Sequence, residues 1–408
     1  MMNINYNKNN INLYINYLLV GYVFCLPISK AGTNFFEILI ILLWLFQGDW
    51  KNKYNQYKSN PLIVTFVIFI LYSLVSVFWA NSISVWLDYI AKYRHFLLIP
   101  ILYTLFDIKY LNYVFTAFLS SIFISEIMSY GIFFEFWTYK DVSPSDPSPF
   151  MDHISYSVYL AFTSMILLNK IFFESDIKYK VIYIFFFTTV TANLFINGGR
   201  TGQVIFVVTL ISLFIFNSKN RIKSLFSSIL LLSIIFISAY NMSPNYKNRF
   251  NYTVGEINLM ITENNFEGGF SQRVSLWIVG IDKFKDNYLF GTGIGNEMVD
   301  IDIYSSKYNI KTIDMTEFGD HHNMFLTYAI QLGIPGLIII LFIFYNIIIL
   351  KFNKKEYRNL NIIFIISFFL WSLTGMTFHG MNPMTFFALF TGLFTSLANI
   401  NTKDNYGT

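Results

Sequence analysis

Uninterrupted apolar runs constrain this chain more than any other feature of its sequence. Residues 204–216, 337–350 and 362–373 are nearly unbroken hydrophobic stretches, and a membrane span needs roughly 20 mainly apolar residues. Soluble domains place their apolar residues in short periodic groups instead. Only 13% of the 408 residues are charged, against 55% that are hydrophobic, whereas a soluble domain carries about 25% charged residues. The chain therefore reads as an all-α polytopic membrane protein. Its net charge of +4 does not indicate a nucleic-acid partner, because membrane proteins keep cationic residues on one side for orientation.

About twelve transmembrane helices are expected, at 13–27, 34–46, 62–78, 96–106, 113–134, 154–168, 181–196, 203–216, 225–240, 324–350, 362–376 and 385–398. Lysine and arginine concentrate in "KNKYNQYK", "NKIFFESDIKYK", "SKNRIKS" and "KFNKKEYR", after the second, sixth, eighth and tenth spans. All four fall on one side, which makes that side cytoplasmic and puts both termini there. The chain then divides into helices 1–9 over residues 1–240, a large outer loop over 241–321, and helices 10–12 over 322–408. Within the loop Val274, Trp277, Ile278, Ile281 and Phe284 recur at helical spacing, the pattern of an amphipathic helix lying on the membrane surface. The other outer loop, "EFWTYKDVSPSDPSPFMDH", should be irregular, and "GTGIGN" at 291–296 reads as a tight turn, since it lacks the strand–helix context of a dinucleotide site. The single cysteine, Cys25, excludes an intramolecular disulfide. "GYVFC" resembles a lipoprotein processing site, but Phe24 is too bulky for one, so the first helix is expected to be an uncleaved anchor.

Charge at the outer ends of these spans needs a reason. Arg200 stands in "NGGRTGQ", between two apolar helices, where a guanidinium must pair or face water. It could be a snorkelling cap on a short turn. Gly198, Gly199 and Gly202 could equally let a ligand approach the backbone, where a helix N-terminus favours an anion. Arg273 in "SQRVSLW", and Lys92 and Arg94 in "DYIAKYRHFLL", pose the same choice between headgroup anchoring and ligand binding. Together these outer cations form a set suited to a diphosphate, which guanidinium forks hold strongly. His321 and His322 precede the tenth span in "DHHNMFLTYAIQLGIPG". They are an interfacial cap, or a base with an ordinary pKa near 6.5. No third ligand at metal-site spacing accompanies them. Adjacent helical residues point about 100 degrees apart, so one imidazole at most faces a given site. Gly333, Pro335 and Gly336 are expected to kink the helix and open room beside it.

Taken in order, "NGGRTG", "SQRVSLWIVGIDKFKDNYLFGTGIGN" and "HHNMFLTYAIQLGIPG" resemble the signature of the O-antigen ligase and polymerase superfamily of bacterial envelope proteins, over residues 197–336. The resemblance implies a GT-C-like glycosyltransferase of the inner membrane that acts on the periplasmic side, by inversion and without a metal or other cofactor. It implies a glycan on undecaprenyl pyrophosphate as donor. The acceptor would be lipid A–core oligosaccharide in a ligase, or another glycan-bearing lipid carrier in a polymerase. Arg200 and Arg273 match the family's pyrophosphate-binding arginines, and Lys92, with Arg94 as its competitor, matches a basic residue before the fourth span. The family's catalytic histidine stands directly before a polar residue, which selects His322, followed by Asn323; His321, Gly199 and Asn323 are possible supporting residues. A lipid-linked-glycan flippase, from another functional class, would carry repeated halves or midplane charges, and neither is evident here. Since the resemblance implies catalysis by side chains alone, transfer by the purified protein is expected to persist in excess EDTA; activity lost to EDTA and restored by one divalent ion would contradict it.

Overall fold

The computed structural model describes residues 2–308 and 318–406; the remainder of the expected outer loop, 309–317, lies outside the described residues. The described chain is all-helical. Its helices are α1 (Met2–Cys25), α2 (Lys30–Gln47), α3 (Trp50–Lys58), α4 (Pro61–Val75), α5 (Ile83–Lys92), α6 (Leu98–Leu105), α7 (Leu111–Phe133), α8 (His153–Phe173) and α9 (Ile177–Ile196). They continue as α10 (Arg200–Asn217), α11 (Arg221–Met242), α12 (Pro244–Glu263), α13 (Ser271–Asp286), α14 (Ile301–Ser305), α15 (Met324–Ile348), α16 (Lys355–Ser372) and α17 (Met381–Tyr406). Short polar side chains start many of them by accepting from otherwise orphaned N–H groups. Asn60 Oδ1 accepts from Leu62 and Ile63 at 3.0 and 3.2 Å, with Pro61 in the first turn. Asp152 caps α8 through Ser155 N at 2.9 Å.

Nine helices among the described residues are long and apolar enough to cross a membrane, fewer than the twelve expected. The expected spans at 13–27, 96–106 and 362–376 are the ones outside that number. The apolar part of α1 is the shorter stretch Asn10–Cys25. α6 has 8 residues, a length of roughly 12 Å at 1.5 Å per residue, well short of a bilayer core. α16 begins with Lys355, Glu356 and Arg358, which shortens its apolar part. α8 and α17 form the centre and are almost wholly buried, while α11 shows Ile222, Phe226, Leu230, Ile234 and Ile237 to the surroundings. Phenylalanines fill the middle: Phe386, Phe387 and Phe390 meet Phe162, Phe364 and Phe368 with ring centroids 4.4–5.9 Å apart, spacings favourable for aromatic pairs. Buried His95 Nδ1 lies 2.8 and 2.7 Å from the two Glu37 carboxylate oxygens, tying a 3₁₀ turn to α2.

α15 breaks at Gly333, whose φ of 65° and ψ of −164° belong to glycine-only backbone. The break does not open room beside the helix as expected, because residues 288–293 fill it. Thr292 N and Gly293 N donate to the carbonyls of Ile330 and Gln331 at 2.8 Å, Ile334 N donates to Tyr288 O at 2.8 Å, and the Tyr72 hydroxyl donates to Leu332 O at 3.1 Å. Irregular backbone at membrane depth survives only when protein satisfies it in this way. Thus "GTGIGN" holds the expected turn, with Asn296 N donating to Gly293 O at 3.2 Å, and its first residues also plug the broken helix. A Cβ on Gly291 would lie 2.4 Å from the Gln331 carbonyl, so only glycine allows the approach.

α13 also differs in detail from its expected face. Ser271, Ser275, Leu276, Val279, Gly280 and Lys283 are its buried residues, while Ile281 is exposed and Val274, Trp277, Ile278 and Phe284 are only partly covered. The helix packs on α14 through Leu276 and Val279, which meet Ile301, and reaches His321 at the start of α15 through Gly280. Gly333→Ala should lower stability by about 1–3 kcal/mol or more, the range for a side chain forced into such backbone, because its Cβ would also lie 2.5 Å from Leu289 O. Thermal unfolding in detergent measures this; an unchanged midpoint would contradict the role of the break.

Candidate active site

The turn before α10 is knitted together by its own polar groups. Asp146 Oδ1 accepts from Gly198 N at 3.2 Å, Asn197 Oδ1 from Gly199 N at 2.9 Å, and Ser157 Oγ from Gly202 N at 3.1 Å. A Cβ on Gly199 or Gly202 would lie 2.3 or 2.2 Å from Ser157 atoms. The glycines therefore admit α8, not a ligand, and the space expected for a ligand at buried Gly199 is occupied by protein.

Arg200 begins α10 and extends to α12. Its Nη1 donates to Thr253 Oγ1 at 2.9 Å and to Glu256 Oε2 at 2.8 Å. Glu256, only 3% exposed, also takes the Phe270 N–H on Oε1 at 3.4 Å, just ahead of α13. Arg273, in the first turn of α13, makes no side-chain hydrogen bond among the described residues. Burial lowers the pKa of its guanidinium, as do the nearby charges of Arg200 and Arg249, while Asp320 and Glu256 act against them. Arg200, Arg249 and Arg273 are thus one cationic group. Arg249 was missed in sequence reasoning because "YKNRF" looks like a solvated polar stretch, and Glu256 because nothing in its spacing ties it to Arg200.

Arg249 and Arg200 line a cavity of about 200 Å³ whose other walls include Val204, Val207, Phe236 and Phe250. Two cations stand over an apolar groove, which suits a ligand with an anionic head and a hydrocarbon tail.

The histidine doublet separates into two environments. His321 is wholly buried with its ring against Gly280, and neither ring nitrogen has a partner among the described residues. Burial, helped by Lys283 and His322, pushes its pKa down to about 3, so it is neutral. Its carbonyl accepts from Trp277 Nε1 at 3.1 Å. His322 has a left-handed φ of 49°, supported by its N–H donating to Asp320 Oδ1 at 2.5 Å. Its Nδ1 lies 3.5 Å from that same oxygen. The ring lines a cavity of about 250 Å³ with Asp152, Ser155, Thr374, Thr377 and Asn382. Asn323 is the N-cap of α15, its Oδ1 accepting from Leu326 N at 3.1 Å.

Lys92 and Arg94 are held elsewhere. Lys92 Nζ is 2.7 Å from both Asp88 Oδ2 and His379 Nε2, and Arg94 Nη2 donates to Asn34 Oδ1 at 3.2 Å on an exposed side chain. Neither is shown in contact with the arginine group. His379, stacked on Tyr89 at 3.9 Å, feels the charge of Asp320, so Lys92 borders the histidine side instead. Asp320 stands in the quoted histidine stretch and could have been read as the partner of His322. No cluster of three or more metal-ligating side chains occurs among the described residues.

Residues 184–341 match the family model described as O-antigen ligase. The match supports the O-antigen ligase and polymerase superfamily for this region. The region carries Arg200, Arg249, Arg273 and both histidines, and members of the family are glycosyltransferase-like enzymes acting on lipid-linked glycans. A comparison with curated proteins gives no match.

Burial, with Arg273 contributing and Asp320 opposing, holds the His322 imidazole below its ordinary 6.5. A base with a lowered pKa stays unprotonated as pH falls through 6.5, so the acid limb of kcat/KM should have its midpoint below 6.5. A midpoint above that value would remove His322 as the titrating base.

Proposed function

We propose that the chain is an O-antigen ligase, transferring a glycan from undecaprenyl pyrophosphate to lipid A–core at the periplasmic face of the inner membrane, with both termini cytoplasmic. The observation that carries this is the pairing of a cation-headed apolar groove with a separate cavity of mixed polar and apolar walls lined by His322. In this reading the acceptor hydroxyl lies in the His322 cavity and its oxygen attacks the anomeric carbon of the donor. The bond from that carbon to the pyrophosphate breaks with inversion. The proton passes to His322, and undecaprenyl pyrophosphate leaves with its added charge met by Arg200 and Arg273. Donors already placed where charge grows stabilise it without reorganisation, so guanidiniums can serve here without a metal. Lys92 and Arg94 fit an anchoring role better than the pyrophosphate contact that the resemblance implies.

An O-antigen polymerase would share the donor half and differ in its acceptor. The lipopolysaccharide banding of a deletion strain separates them: polymer lost from lipid A–core while it accumulates on the lipid carrier supports the ligase, and a single repeat still attached to the core overturns it.

His322→Ala should cut transfer by roughly two to four orders of magnitude, the range for removing a general base, with donor binding retained. His321→Ala should cost far less per folded molecule. Arg273→Ala should abolish transfer, and Arg273→Lys should restore it only in part, lacking the fork. Arg200→Ala is best read beside Arg200→Ala with Glu256→Gln, since the single change strands a buried carboxylate. Transfer assays with purified variants check each; full activity in His322→Ala or Arg273→Ala would end the assignment of that residue.

A further inference from the structure

Arg249 lines a second and larger cavity, of about 430 Å³, whose other walls include Ser145, Asp146, Asn245, Asn248 and Tyr252. The apolar groove and this cavity share a single guanidinium, yet their chemistry is opposite. One has Val204, Val207, Phe236 and Phe250; the other has a carboxylate, two amides, a serine hydroxyl and an aromatic ring.

We propose that this cavity binds a sugar ring of the donor glycan near its pyrophosphate end and selects which glycan is transferred. The inference rests on the donor reading above. Asp146 is fixed in place: Oδ1 takes the Gly198 N–H and the Ser148 hydroxyl at 3.2 and 3.1 Å, and Oδ2 lies 3.1 Å from His153 Nδ1. Asn245 uses its NH₂ on the carbonyls of Pro144 and Ile196 at 3.0 and 3.2 Å, which leaves its Oδ1 to accept. Asn248 and Tyr252 are exposed and offer an amide and a ring. Fixed acceptors beside free donors and an aromatic face match the alternating hydroxyls and apolar patches of a sugar. The carboxylate at Asp146 opposes a bare anion, and the polar walls oppose a hydrocarbon tail. The volume lies within the roughly 300–1,000 Å³ typical of small-molecule sites.

Position supports the donor over the acceptor. A lipid seated in the apolar groove with its diphosphate at Arg200 and Arg249 has this cavity as the next space beyond the shared arginine. The acceptor cavity is separate: the Asp152–Ser155 start of α8 lines it, while the Ser145–Asp146 turn that precedes α8 lines this one.

The test uses full-length protein in nanodiscs and two probes, undecaprenyl pyrophosphate and undecaprenyl-pyrophosphoryl-N-acetylglucosamine. Wild type should prefer the sugar-bearing lipid by about 10-fold, the worth of one or two net hydrogen bonds. Asn248→Leu combined with Tyr252→Ala should erase that preference and leave the affinity for the bare lipid unchanged. Arg249→Gln should weaken both lipids together. A wild-type protein without preference, or a preference that survives the double substitution, overturns the sugar site while leaving the donor reading intact. Binding of neither lipid by wild type would overturn the donor reading itself and this inference with it.

Discussion

The buried carboxylate of Glu256 organises the outer part of this protein. Through Oε2 it holds Arg200 at the start of α10, and through Oε1 it accepts the Phe270 N–H just before α13. One side chain of α12 thereby fixes a membrane helix and two helices above it. The geometry demands Gly268, where a Cβ would lie 2.2 Å from Oε1. Burying a charge is costly unless it is paired, so neither the glutamate nor the arginine is tolerated alone. Three guanidiniums, Arg200, Arg249 and Arg273, gather here with the carboxylates of Glu256 and Asp320.

Division of labour runs through the histidine pair as well. His321 is packed where a Cβ on Gly280 would lie 2.5 Å from its ring, so it joins α13 to the start of α15 by contact. His322 is turned the other way by its left-handed backbone, a conformation stabilised by the Asp320 carboxylate at its N–H. Backbone strain here aims a side chain at a cavity, a use such conformations often have. The broken part of α15 is likewise held by the 288–293 segment instead of being left open, so the helix that follows His322 has fixed orientation.

Nine of the expected spans were legible because long apolar runs leave few alternatives, and the match to the superfamily region was legible because several motifs fall in order. The sequence could not separate α17, almost wholly buried, from α11, mostly exposed, since lipid and protein interior select the same residues. It could not show that α6 is only eight residues long, because Phe96 and Leu97, which end the preceding 3₁₀ turn, continue its apolar run. Gly199 and Gly202 looked like space for a ligand and are space for α8. Arg249, Glu256 and His379 come to their neighbours across long stretches of chain, and no local pattern announces such encounters.

The surface character of α12 gives the arginine group its depth. Phe250, Val254 and Ile261 are exposed along one face of this helix, although "PNYKNRFNYTVGEINLMITE" is polar on average. A helix of that kind rests at the boundary between headgroups and acyl chains, where its apolar residues enter lipid and its polar groups remain hydrated. Arg249 belongs to the same helix, and Arg200 begins a membrane helix that Glu256 ties to it. A surface-lying α12 would put both guanidiniums near headgroup level, where they can remain charged without the cost of deeper burial. The diphosphate of a lipid carrier occupies that level too, because its hydrocarbon chain cannot leave the bilayer and its charge cannot enter it. That match in depth supports the donor reading independently of any single contact.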